Sequence, residues 1–248
     1  MRTKVLFMSL VLGCLWSCQQ DETIEQTDGQ TIKFTSVVIG DETLSRASGS
    51  TSIDVISMRT ELDDKFTVFD LKKDTRSWGE FSKKSEVFFY AHYPRLPESV
   101  ASNETRVLEG GTNDYLFGKA KAVAGQQQVC LQFKRVMAPL IVEVLDGDGR
   151  SYQGDIEVSA LIKNKGVQNL KDGSIVILDE KKYTAFNRFD NGVKQALNLL
   201  PQRIEKGTPF QVRLSNGVTY TATVGEAVQL NSGESYKAVV RGARVDIT

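Results

Sequence analysis

The 248-residue chain has little of what most chemistry requires: one histidine, three cysteines, and no surplus of either charge, with 31 Lys plus Arg against 31 Asp plus Glu. Balanced charge removes the long-range field that draws a protein to nucleic acid or to an anionic membrane surface. A single histidine, His92, supplies neither a His/Cys metal cluster nor the partner groups of a nucleophile–base pair. A glycine-rich phosphate loop and a Gly-x-Ser-x-Gly elbow are also missing from the sequence. These gaps argue against an enzyme, and no cofactor or metal is expected. Long apolar runs are missing too, as is any helical-length segment with a sustained apolar stripe, which leaves β-structure as the organising element.

What is present begins at the N-terminus. Arg2 and Lys4 precede the apolar run 5–12, a basic region followed by a hydrophobic one too short to span a bilayer. The run ends at Leu15-Trp16-Ser17-Cys18, which resembles a bacterial lipobox, where cleavage before the cysteine leaves it acylated as the first mature residue. Val11-Leu12-Gly13-Cys14 is a rival site, but cleavage there shortens the hydrophobic run further, so Cys18 is the favoured lipidation residue. Residues 1–17 then form a lipoprotein signal peptide and 18–30 a flexible polar tether. Gln19-Gln20-Asp21-Glu22 resembles the acidic tag that sends some Gram-negative lipoproteins to the outer face of the outer membrane; an ordinary polar linker is the alternative. Removal of the export segment takes Cys14 with it and ties up Cys18. Cys130 is left without an intrachain partner for a disulfide. In Val129-Cys130-Leu131-Gln132-Phe133 the large apolar residues share one face and Cys130 points to the other, half-buried.

The body alternates apolar and polar residues in short runs bounded by Gly, Asn, Asp and Pro: 31–38, 66–71, 87–93, 129–133, 140–145, 156–162, 175–178, 210–214, 218–224 and 236–240. Asn216-Gly217 between two such runs predicts a hairpin with a type I′ turn, and Asp146-Gly147-Asp148-Gly149 ends another strand. Many short strands with such turns make an all-β chain of sandwich type. The polar stretch 98–125 places a domain boundary near Gly125, giving an N-terminal β-sandwich over 31–124 and a C-terminal one over 125–248.

Several segments, in order, resemble the fimbrillins, lipoprotein precursors whose subunits build type V pili. Thr31-Ile32-Lys33-Phe34-Thr35 resembles the family's first strand, and Leu44-Ser45-Arg46-Ala47-Ser48 its Arg-Ala processing loop. Phe88-Phe89-Tyr90-Ala91-His92-Tyr93-Pro94 resembles the N-domain strand that ends in an aromatic-Pro pair. Leu131 to Leu140, Leu199-Leu200-Pro201, Gly217 with Tyr220, and Leu230 to Tyr236 resemble later segments of the family. The resemblance implies two transthyretin-like β-sandwich domains in tandem behind the signal peptide. It also implies a structural, adhesive role in a fimbrium at the cell outer membrane, with other pilus subunits as partners and the acyl anchor in the membrane.

In the family's scheme a trypsin-like protease cuts after the loop arginine, here between Arg46 and Ala47, and releases the first strand. A neighbouring subunit's C-terminal strand refills the groove. Residues 31–39 suit the removable strand, with Ile32, Phe34, Ser36 and Val38 on one face and Lys33, Thr35 and Val37 on the other. An arginine in a polar loop is ordinarily a solvated charge, and only this context gives Arg46 a proteolytic role. If 236–240 closes the second sandwich, 241–248 is short for a donor strand, which points to a tip subunit rather than a stalk repeat. An anchor subunit would instead keep its first strand. The competing reading is a stand-alone surface lipoprotein that keeps acylated Cys18 and binds a glycan or host protein through its loops.

The remaining polar motifs have plain readings. Within an aromatic strand, His92 is expected to be packed or hydrogen-bonded rather than a general base. Asp146 and Asp148 read as turn residues rather than calcium ligands, since no downstream Glu completes an EF-hand loop. Asp63-Asp64 and Lys83-Lys84 read as solvated loop charges, and the sequon at Asn103 carries little weight in a bacterial lipoprotein.

Overall fold

The computed structural model describes residues 30–39, 53–81, 84–98, 100–186 and 196–248. Among them there is no α-helix, only one short 3-10 turn at Trp78–Phe81. The first strands are β1 (Thr31–Ile39), β2 (Val55–Thr60), β3 (Thr67–Asp70), β4 (Arg76–Ser77), β5 (Glu86–Tyr93), β6 (Thr105–Glu109), β7 (Leu116–Val123) and β8 (Gln128–Arg135). There follow β9 (Ala138–Leu145), β10 (Ile156–Lys163), β11 (Lys165–Asn169), β12 (Ile175–Ile177), β13 (Lys181–Phe186) and β14 (Ala196–Leu199). The chain continues through β15 (Arg203–Ile204), β16 (Pro209–Leu214), β17 (Thr219–Val224), β18 (Val228–Gln229), β19 (Tyr236–Arg241) and β20 (Arg244–Ile247). The molecule is all-β, of sandwich type, and its two large sheets are curled.

Each large sheet wraps its own core. The first runs β3-β2-β5-β7-β8-β1-β4 and the second β13-β10-β16-β17-β20-β19-β9-β14. Alternation sets the inward faces: in β7, Leu116, Gly118, Ala120 and Ala122 are buried while Lys119, Lys121 and Val123 are exposed. The small inward residues leave room for bulk from the next strand. A methyl group on Gly118 would stand 2.7 Å from the Phe133 ring, so the β7–β8 pair packs aromatic against bare backbone. The first core holds Phe34, Phe69, Phe81, Phe89 and Phe133, and the second Leu140, Val158, Phe210, Val212 and Val240.

Three features depart from the sequence expectation. Gly125 does not separate the two units: with φ 85° it closes the hairpin between β7 and β8, where Gln126 N donates to Val123 O at 2.9 Å. β8 buries Val129, Leu131 and Phe133 in the first core, so the chain passes from one sheet to the other at Val136 and Met137 instead. The hairpin at Asn216-Gly217 forms between β16 and β17, but its turn is one residue longer than a type I′ turn. Gly217 N donates to Leu214 O at 2.9 Å, which places Ser215 and Asn216 at the turn centre and leaves the left-handed φ of 85° to Gly217. β19 is not the last strand. β20 inserts between β17 and β19, and its Val245 is fully buried.

A third, three-stranded sheet, β12-β11-β6, joins the units. β6 leaves the first unit and pairs antiparallel with β11 of the second over five residues, Thr105↔Asn169 to Glu109↔Lys165. Beneath it Leu108, Val136, Met137 and Leu200 form a separate apolar cluster, with Tyr115, Phe117, Ile175 and Ile177 against it.

Candidate acceptor groove under the first strand

β1 lies near one edge of the first sheet. Along its whole length from Lys33 to Ile39 it pairs in parallel with β8, Lys33↔Gln128 through Ile39↔Lys134. Its other edge is paired only at the start, where Thr31 and Ile32 oppose Ser77 and Arg76 of β4. Among the described residues, 33–39 therefore present one bonded and one open edge. Parallel pairing between strands far apart in sequence is slightly weaker per residue than antiparallel pairing.

Side chains supply the rest of the hold. Ile32 is fully buried and Phe34 nearly so, while Ser36 and Val38 are half-buried. These four share the inward face, as their spacing predicts. The Phe34 ring meets Phe89 at 4.9 Å and Phe69 at 5.3 Å, both edge-to-face, and Phe81 extends the cluster to Phe89 at 5.8 Å. Burial is front-loaded: the apolar anchors sit in the first half of the strand, and its outward residues Val37 and Ile39 are 45% and 44% exposed. The strand entry is fixed by Trp78, whose N donates to Gln30 O (3.0 Å) and whose indole Nε1 donates to Gln126 O (2.9 Å).

Past Ile39 the sheet gives way to a cleft of about 610 Å³ between the two units, lined by Ile39, Phe117, Lys134, Ile175, Ile177 and Pro201 among others. Cys18, Arg46 and Ala47 lie outside the described residues. Cys130 is half-buried on β8, not disulfide-bonded, and directly opposite Thr35.

The wall of that cleft is the seam between the units, and three basic residues are embedded in it. The turn joining β11 to β12 presses on the outer face of the first sheet: Leu170 packs with Phe66 and Leu96, and a methyl group on Gly173 would stand 2.5 Å from Phe117. His92 is fully buried, with Nε2 2.9 Å from Leu170 O and its ring between Phe66 and Phe117 at 5.0 and 5.1 Å. Burial drives its pKa down to about 4; the Arg106 and Arg59 charges push the same way, against the Leu170 hydrogen bond. Arg59 stacks on Tyr90 (4.5 Å) and Phe66 (5.3 Å) and donates to Lys171 O at 3.4 Å. Arg106 stacks on Tyr115 (4.7 Å), donates to Pro94 O (3.0 Å) and to Gln168 Oε1 (2.7 Å), and burial lowers its pKa to about 10. The histidine thus has the packed role expected of it. The two arginines carry no sequence signal; only the aromatic rings around them in space give them away.

The other polar residues are structural. Asp146 Oδ1 accepts from Asp148 N (3.0 Å) and Arg150 N (2.9 Å), which commits it to its own turn. Asp63 is not a purely solvated charge, because its Oδ2 accepts from Thr60 N (2.7 Å) and Thr60 Oγ1 (2.9 Å).

The comparisons with known proteins follow this geometry. A fimbrillin-like family model matches residues 65–242. The chain belongs to the fimbrillin-like family. Among solved structures, a candidate cell adhesion protein of Bacteroides thetaiotaomicron is 32% identical, with a TM-score of 0.66 over 85% of this chain and 93% of that one. Candidate cell adhesion proteins of Bacteroides ovatus (17% identity, TM-score 0.62, 89% and 95% covered) and Bacteroides uniformis (14%, 0.59, 79% and 89%) share the fold. No curated protein matches. This fimbrillin-like family and its relatives are adhesive and fimbrial rather than enzymatic.

Two outcomes follow. Phe34→Ala, measured by urea unfolding of protein that retains β1, costs about 3 kcal/mol through lost burial and a residual cavity, whereas Thr35→Ala on the outer face changes stability little; equal midpoints for all three proteins would show that β1 is not packed. His92 has a folded pKa below its ordinary 6.5, so the unfolded chain binds a proton that the folded chain refuses down to about pH 4. Its stabilising effect is therefore complete above pH 6.5, falls between 6.5 and about 4, and is flat below. Between pH 7 and 4.5 the wild type should lose about 2 kcal/mol more than His92→Gln; parallel losses would contradict a buried neutral imidazole.

Proposed function

We propose that the protein is a cell-surface adhesive subunit of a fimbria. In this reading it is exported as a lipoprotein anchored through Cys18 in the outer membrane, cleaved between Arg46 and Ala47, and assembled when a neighbouring subunit's strand replaces β1. Family membership and the cell adhesion relatives support the coarse role. The observation that carries the finer one is the attachment of β1: seven residues bonded along one edge, with Ile32 and Phe34 as its fully inserted apolar anchors. Withdrawal of such a strand leaves a row of unpaired β8 amides and carbonyls above an apolar wall, a state driven to recapture a strand by β-addition.

In this reading the last described strand supports a tip position. Residues 241–248 are committed to the subunit's own sheet. Val245 fills the second core, and Thr248 and Lys237 exchange backbone bonds at 2.8 and 3.0 Å. Giving β20 to a neighbour would split β17 from β19. In this reading residues 241–248 do not serve as the donor strand, which favours a tip position over a stalk repeat.

The Thr35↔Cys130 register allows a direct test. Neighbouring strands lie ~4.8 Å apart, within the Cα separation that a disulfide spans. After cleavage by an Arg-specific protease, the wild type should release the fragment ending at Arg46 and capture a fimbrial subunit's C-terminal strand peptide. Oxidised Thr35→Cys should be cut yet keep the fragment and capture nothing until it is reduced, and Arg46→Ala should neither release nor capture. Wild-type protein that resists cleavage at Arg46, with acylated Cys18 at its mature N-terminus, would favour a stand-alone or anchor lipoprotein instead.

A further inference from the structure

The outer face of the first sheet carries a series of lysines, with Phe88 among them, that neither the core nor the seam requires. On β5, β7, β8 and β1 the outward positions alternate with the buried ones. They include Phe88 and Tyr90 on β5, Lys119 and Lys121 on β7, Gln128, Gln132 and Lys134 on β8, and Lys33 and Thr35 on β1. Strand register arranges the lysines in order. Lys33 lies opposite Gln128, Lys121 opposite Phe88, Lys119 opposite Tyr90 and Gln132, and Lys134 opposite Phe117 and Ile39. Each successive row across the sheet thus carries one lysine, and rows are ~7 Å apart because they are two residues apart.

Charge along this stripe is one-sided although the chain as a whole is neutral. The outward positions of these four strands hold four lysines and a single carboxylate, Glu86, which pairs with Lys121 at 2.5 Å. Lys119 Nζ stands 4.9 Å from the Phe88 centroid and 5.4 Å from that of Tyr90, so the ammonium groups are held beside ring faces. Lys33, Lys119, Lys121 and Lys134 are all exposed and Phe88 is half-buried, whereas the half-buried Tyr90 belongs to the seam, packed on Arg59 and Phe117.

We infer that this stripe is a binding face for an acidic polysaccharide, a uronate-containing chain lying along the sheet. The lysines span four successive rows of the sheet, a length that suits an extended polymer. Phe88, the ring of this face that lies outside the seam, can pack against the C–H face of a sugar, the amides of Gln128 and Gln132 can exchange hydrogen bonds with hydroxyls, and spaced ammoniums match repeated carboxylates. An acidic polypeptide would satisfy the lysines but makes less use of Phe88 and of the two amides. The proposal does not depend on strand exchange: Lys119, Lys121 and Lys134 lie on β7 and β8, which remain when β1 leaves.

The test is binding of the purified, uncleaved protein to immobilised polygalacturonate, with dextran and poly-glutamate as controls. The expected result is binding to polygalacturonate that weakens with added salt, little binding to dextran, and weaker binding to poly-glutamate. Lys119→Gln with Lys134→Gln should reduce affinity about tenfold at an unchanged thermal midpoint, and the double arginine variant should retain it. Phe88→Ala should weaken polygalacturonate binding but not poly-glutamate binding. Absence of binding to polygalacturonate, equal binding by the double glutamine variant, or equally tight binding of poly-glutamate would each overturn the inference.

Discussion

The fold depends on how the two edges of β8 are occupied. One edge pairs with β7, four residues on in the same hairpin, and is cheap to form because the loop is short. The other pairs with β1, which arrives from nearly a hundred residues away and runs parallel to β8. The first core cannot close without that second pairing, because Ile32 and Phe34 complete the wall formed by Phe69, Phe89 and Phe133. The contact is thus needed for a closed core and yet is made by a strand whose far edge is open from Lys33 onward among the described residues. That combination of necessity and one-sided attachment is what the proposed strand exchange requires.

The proposed exchange at one edge calls for a subunit whose other contacts hold, and the seam supplies such contacts. The β6–β11 pairing continues hydrogen bonding from one unit into the other, His92 and Arg59 tie the outer face of the first sheet to backbone at Leu170 and Lys171, and Arg106 on β6 bridges Pro94 O and Gln168. Burying guanidiniums is costly; here aromatic faces and carbonyl oxygens, and for Arg59 the Asp63 charge, offset part of that cost. A seam with buried charge tolerates little misalignment. The seam thus lies between the first-strand groove and the second unit, beside the cleft beyond Ile39.

Much of this was legible in the sequence wherever burial is one-sided. β1, β5, β8, β9, β16 and β17 announce themselves by alternation, and the four inward residues of β1 are where their spacing puts them. β7 escapes such a reading because its inward residues are Gly118, Ala120 and Ala122, too small to register as apolar although they serve the core by making room for Phe133. β6 and β11 escape because they are short, belong to neither large sheet, and expose Val107 while burying Gln168. The boundary near Gly125 failed for the same reason: a glycine turn between polar residues reads alike whether it closes a hairpin or links domains. The roles of Arg59 and Arg106 depend on residues distant in sequence, and no local pattern encodes them.

The central claim is that β8 owes its second edge to a replaceable strand, and amide hydrogen exchange along residues 128–134 tests it most directly. Protection there should be high in the uncleaved protein, fall when residues up to Arg46 are released, and return when a fimbrial strand peptide is added, with the β5–β7 pairing protected throughout. Residues 128–134 that stay protected after release, or a first sheet that loses protection as a whole and does not recover with peptide, would contradict the account.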